Sequence, residues 1–197
     1  MRRNLSRMIA ILVGSAMLAT GALAAQPKET VPATYASTEN STYLSTRAST
    51  LLAEIQREAA GLRKNAETLG TFAHSTQLSW QTHADYLNRV KEHINAVGKR
   101  IAELQRIRAS VLPWQQQAIT EVTTHASQVA ASAQAAIVQL NDDRRSLLSP
   151  EYRDHLRTID DSSAAMKERV DKFLNYEKAQ EKFLQLQDEL ELTGEGS

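Results

Sequence analysis

Apolar residues recur at steps of three and four along four successive stretches of the chain, the spacing that lines one face of an α-helix. The clearest run is Trp80, His83, Leu87, Val90, Ile94, Val97, Ile101 and Leu104. A later run, Tyr152, Leu156, Ile159, Ser163, Met166, Val170 and Phe173, shifts phase and resumes with Tyr176, Ala179, Phe183, Leu186 and Leu190. Between them lie Ala118, Val122, His125, Val129, Ala133, Ala136 and Leu140. Ahead of both stands a more polar series: Leu44, Ala48, Leu51, Ile55, Glu58, Leu62, Asn65, Leu69 and Phe72. Nothing alternates with period two for more than a few residues, so no sheet is expected.

Breaks in the pattern set the helix limits. Beyond residue 40 the only prolines are Pro113 and Pro150. Ser149-Pro150-Glu151 has the makings of a helix start: a capping hydroxyl, a proline at the first helical position and an acid in the first turn. A weaker break falls between Gly70 and Ser79. Helices are therefore predicted near 40–72, 78–111, 113–148 and 150–192, within a helical bundle domain spanning 40–192. At 1.5 Å per residue the shorter three are about 50 Å long. Short connections make neighbours antiparallel, which predicts an elongated up-down-up-down four-helix bundle with coiled-coil-like packing. The fourth helix should overhang its partners by about a turn or two. The polar first stripe leaves an alternative, long helical hairpins that complete their core by dimerising. Gly61 and Gly98 fall inside helices, where each costs about 1 kcal/mol relative to Ala. Close helix contact or a tolerated defect would account for them.

The first 24 residues do not belong to this pattern. Arg2, Arg3 and Arg7 precede an apolar stretch from Met8 to Leu23, and Ala22-Leu23-Ala24 places small residues where signal peptidase cuts. The stretch is shorter than the ~20 residues of a spanning helix. Residues 1–24 are expected to be a signal peptide for the general secretory route, leaving the mature chain in the periplasm or outside the cell with no stable membrane anchor. Residues 25–39 read as a flexible polar leader, and 193–197, ending in Gly-Glu-Gly-Ser, as a disordered tail.

Composition narrows the chemistry. Of 197 residues none is cysteine, which excludes disulfides, thiolate zinc sites, iron–sulfur clusters and cysteine nucleophiles. The 23 basic side chains balance 23 acidic ones, and the basic clusters near Lys99 and Arg144 have acids beside them. No nucleic-acid partner is expected. Nucleophile elbows, phosphate-binding glycine loops and His-Glu-x-x-His are all missing from the sequence.

Five histidines remain. His74, His83 and His155, with Glu151, fall near one end of the predicted bundle, and imidazole with carboxylate suits a divalent metal. They are the candidate metal ligands, although the Glu-x-x-His spacing of di-metal bundles is missing. His93 and Met166 lie at similar heights, as haem ligands would, but His93 stands beside its stripe rather than on it. No cofactor is therefore expected. Trp114, beside Pro113, either anchors a partner or plugs the other end of the bundle. The leading functional reading is an exported, non-enzymatic helical protein: a protein-interaction module, adaptor or chaperone-like scaffold in the cell envelope, whose partner is itself or another protein. The alternative is a metal- or haem-binding bundle using its His-rich end.

Overall fold

The structure, a computed structural model, describes residues 33–72 and 79–194; of 33–40 and 192–194 only the backbone course is described. The expected signal peptide, the first part of the expected leader, His74 and the last three residues lie outside the described residues. Everything described is helix or short connection: α1 (Ala33–Phe72), α2 (Trp80–Ile107), α3 (Pro113–Asp142) and α4 (Pro150–Gly194), with no strand among the described residues. No helix among them is long and apolar enough to cross a membrane.

Local chemistry explains the limits. Ser79 caps α2, its Oγ accepting from the Thr82 N–H at 3.3 Å. Pro113 opens α3 and Pro150 opens α4, with the Ser149 Oγ accepting from the Tyr152 N–H at 3.1 Å. The third helix was expected to reach 148 but ends at Asp142. Asp143 adopts an extended backbone, its carboxylate caps the Arg145 N–H at 2.9 Å, and Arg144–Leu148 form a 3-10 turn. Short polar side chains compete in this way with helix propagation. The second helix likewise tightens into a 3-10 turn at Arg108–Ser110, before the expected end at 111. The first begins at Ala33, seven residues ahead of the expected 40.

Each helix packs against two others: α1 against α2 and α4, α3 against α2 and α4, while α1 and α3 barely touch. Cross-helix partners run in opposite order along each pair. On α1 and α2, Arg47 meets Glu103, Glu54 meets Arg100 and Glu58 meets His93. On α3 and α4, Glu121 meets Arg169 and Gln128 meets Ser162. Across α1 and α4, Ser49 meets Glu177 and Gln56 meets Asp171, and from the end of α2 to α3, Gln105 meets Thr123 and Arg108 meets Thr120.

One core runs along the axis, with Leu51, Leu52, Ile55, Leu62, Leu69, Leu87, Leu104, Ile119, Ile159 and Met166 essentially inaccessible. Two sequence stripes need correction. On α1, Ala59 and Ala66 are fully buried where Glu58 and Asn65 were expected to face the core. On α3, Ala126 is buried in place of its neighbour His125. Alanine carries the inward face where helices approach closely, and the polar neighbours stand at the edge of the interface.

Helix α4 runs on past the start of α3. Among the described residues Leu174 is its last buried residue, and every one beyond Glu177 is exposed. The remaining 17 residues to Gly194 extend about 25 Å past the start of α3, nearly five turns where one or two were expected, whereas α1, whose Ser49 meets Glu177, itself runs on to Ala33.

Candidate functional site

At the end that holds the α1–α2 and α3–α4 connections, four rings close the core. His83, one turn into α2, is 2% exposed, and its Nδ1 hydrogen-bonds the Tyr152 hydroxyl of α4 at 3.1 Å. Phe72 packs on both His83 and Tyr86, with centroids 5.8 and 5.0 Å away. Burial holds the His83 imidazole below its ordinary pKa and pushes the Tyr152 phenol above its own. Both are neutral at physiological pH, a pairing suited to a polar contact inside a core.

The other candidate ligands stand elsewhere. Glu151 and His155 are one turn apart on α4, in an open cleft shared with Gln139, Asp142 and Arg145 of the neighbouring segment. The Glu151 Oε2 accepts a long 3.5 Å contact from Gln139. Among the described residues no three histidine or carboxylate groups gather as a metal cage. His93 turns away from the core to the Glu58 carboxylate at 2.9 Å, whereas Met166 is buried in the core. The imidazole of His93 lies so close over Gly61 that a Cβ there would sit 2.5 Å from its Cε1; around Gly98 there is open space.

A shallow groove between α1 and α4 is lined by Glu67, Gly70, Arg153, Arg157 and Asp160. Burial, then the charges of Asp161 and Glu67, push the Asp160 carboxyl above the usual range, with Arg63 acting in the opposite sense. Carboxylates and guanidiniums line this groove without a nucleophile beside a base, so it presents mixed charge rather than a reacting constellation.

The opposite end was less legible. Gln115, fully buried near the start of α3, uses all four of its hydrogen-bonding capacities. Its Oε1 accepts from the Leu112 N–H at 3.1 Å and the Ser45 hydroxyl at 2.8 Å. Its Nε2 donates to the Ser45 carbonyl at 2.8 Å and the Ser49 hydroxyl at 2.9 Å, and Ser49 in turn donates to Glu177 of α4. One amide thus ties α1, α3 and α4 together. The available signal was a Gln three residues after the residue preceding Pro113, the back-reaching half of a capping box.

Beside it Trp114 is half-buried, stacked on Phe173 with centroids 6.4 Å apart and edge-on to Tyr176 at 5.8 Å. Its indole Nε1 is buried and meets no acceptor among the described residues. Tyr176 is where cover runs out. Beyond it the projecting part of α4 carries Phe183 (67% exposed), Leu186 (48%) and Leu190 (72%) on one stripe, with Leu184 exposed alongside. This stripe continues the side of α4 that meets Trp114 of α3, and α3 begins too late in space to cover it.

No known family model matches this chain, and no curated protein or solved structure matches it either.

Proposed function

We propose that this chain is an exported, non-enzymatic helical protein that works by holding other protein surfaces, as an interaction module, adaptor or chaperone-like scaffold of the cell envelope. Its body is an up-down-up-down four-helix bundle, a reading supported by the reversed order of partners along every packed helix pair. The basic and then apolar N-terminus supports export.

One observation carries the interaction reading: the uncovered apolar stripe of α4 beyond Glu177. Exposed leucines scattered singly are ordinary, but large apolar side chains in a row at heptad spacing on one helical rod mark a docking surface.

The test is truncation. A mature chain ending at Lys178 loses no buried side chain, so it should melt at the wild-type temperature. In size-exclusion chromatography of native extract the wild-type chain should elute in a species larger than a monomer, and the truncated chain as a monomer. Identical elution of the two would overturn the proposal.

A further inference from the structure

His83 is the polar centre of an otherwise aromatic end of the bundle. Its ring is 2% exposed and packs on Phe72 of α1 and Tyr152 of α4, with centroids 5.8 and 5.7 Å away. Trp80, one turn earlier on α2, lies partly buried against the same core. Among the described residues the imidazole bonds the Tyr152 hydroxyl and no carboxylate. The charges that cover this cluster are cations: Arg89 lies over the Tyr86 ring at 5.0 Å, and Arg144 over the Trp80 ring at 4.1 Å. The acids next to Tyr152 and beyond it, Glu151 and Asp154, line the open cleft with Arg145 instead.

We propose that His83 is an acid-operated latch: taking up a proton on its imidazole parts α2 from α4 at this end and uncovers the rings packed there, while the rest of the bundle stays folded. The Tyr152 oxygen can turn to accept from the added N–H, so the hydrogen bond itself survives. Solvation is what fails. An imidazolium here is a buried charge against apolar rings, with cations outside them and no counter-ion. Burial accordingly favours the neutral ring.

The least costly relief is local. His83 is the fourth residue of α2 and Tyr152 the third of α4, so parting two first turns wets the ring. Helix ends open at a fraction of the free energy of global unfolding. The opposite end is tied by the Gln115 amide, which takes up no proton. The latch lies at the far end from the apolar stripe of α4 and does not depend on it.

In the opened end the imidazole is wet and titrates near its ordinary pKa of about 6.5, whereas the closed end keeps it neutral. The ratio of open to closed therefore rises by up to about tenfold per pH unit below that value, and by about thirtyfold between pH 7.5 and 5.

Hydrogen exchange of the mature chain, read by mass spectrometry and corrected for the intrinsic pH dependence of exchange, measures this ratio. Protection over 80–90 and 150–158 should fall about thirtyfold from pH 7.5 to 5, and should stay below that over 94–101 and 126–133 in the middle of the bundle. His83→Gln keeps a hydrogen-bonding side chain that takes up no proton, and should remove the fall. A chain with His74, His93, His125 and His155 all replaced by Gln should retain it. Circular dichroism at pH 7.5 checks that each variant is folded; if His83→Gln is not, His83→Leu takes its place. Equal protection at this end and in mid-bundle would mean that the end opens only when the whole chain unfolds, and would overturn the latch. A fall that persists without His83, a fall that vanishes with the other four histidines, or wild-type protection that does not change would overturn it as well.

Discussion

The same substitution at two helical glycines should have unequal effects. Replacing Gly98 by Ala places a methyl group in open space on an exposed stretch of α2, so only the helix-propensity gain of about 1 kcal/mol remains. For a chain of this size that raises the melting temperature by about 2 to 4 °C. Replacing Gly61 by Ala offers the same gain but puts a Cβ 2.5 Å from Cε1 and 2.8 Å from Nε2 of His93. The imidazole must swing away. It then forfeits its 2.9 Å bond to Glu58, a partly exposed pair worth about 0.5 to 1 kcal/mol. It also leaves its preferred rotamer at a further cost of about 0.5 to 1.5 kcal/mol. The net effect at Gly61 runs from about zero to a loss of about 1.5 kcal/mol. Thermal and urea denaturation of both variants decide the matter, and a third chain removes ambiguity. In a His93→Ala background the Gly61→Ala change should recover its full gain, because the obstructing ring is gone. Equal stabilisation by Gly61→Ala and Gly98→Ala, or no dependence on His93, would refute the reasoning.

Tyr152→Phe removes the hydroxyl that satisfies His83 and strands a buried ring nitrogen, so urea denaturation should show a loss of about 1 to 3 kcal/mol. Because burial depresses His83, the unfolded chain binds a proton that the folded one resists. Stability should be complete above about pH 6.5 and fall as pH drops from there toward the lower folded pKa, a slope that His83→Leu should reduce when melting is followed between pH 7.5 and 5. Asp160 has the opposite sign: its raised folded pKa favours stability in acid, lost as pH rises. Asp160→Asn should therefore melt higher than wild type at pH 7, with the advantage vanishing near pH 3. The mature protein from its native compartment should begin at Ala25 by N-terminal sequencing and carry no stoichiometric metal or haem by elemental analysis and absorbance.

Periodicity made the helices legible because the bundle rewards one inward face per helix, and each long run of threes and fours had one. It misread α1 and α3 where that face is built from alanine. Glu58 lies one residue from Ala59, Asn65 one from Ala66 and His125 one from Ala126, and hydropathy alone does not choose between neighbours 100° apart. Asp143 ended α3 early through a side-chain bond to its own backbone, a local competition that the apolar pattern does not register. His83 was picked out as a ligand candidate by residue type, whereas its partner Tyr152 lies 69 residues away and emerges only from packing. Gln115 was overlooked because a glutamine on a helix ordinarily faces water. The stripe from Tyr176 to Leu190 was visible as a run, but its exposure depends on where α3 begins in space. Sequence spacing describes which face is apolar, and neighbouring elements decide whether that face is covered.

The central claim is that the projecting stripe of α4 is a working protein-binding surface, and photo-crosslinking inside cells tests it most directly. A photoreactive residue is placed at Phe183 and, as a control, at the exposed Asp154 far from the stripe. Irradiation should link the Phe183 variant into a discrete protein adduct, at twice the chain's mass if a second copy is bound, and leave the Asp154 variant at monomer mass. An unlinked Phe183 variant in cells that export and fold it normally would contradict the account.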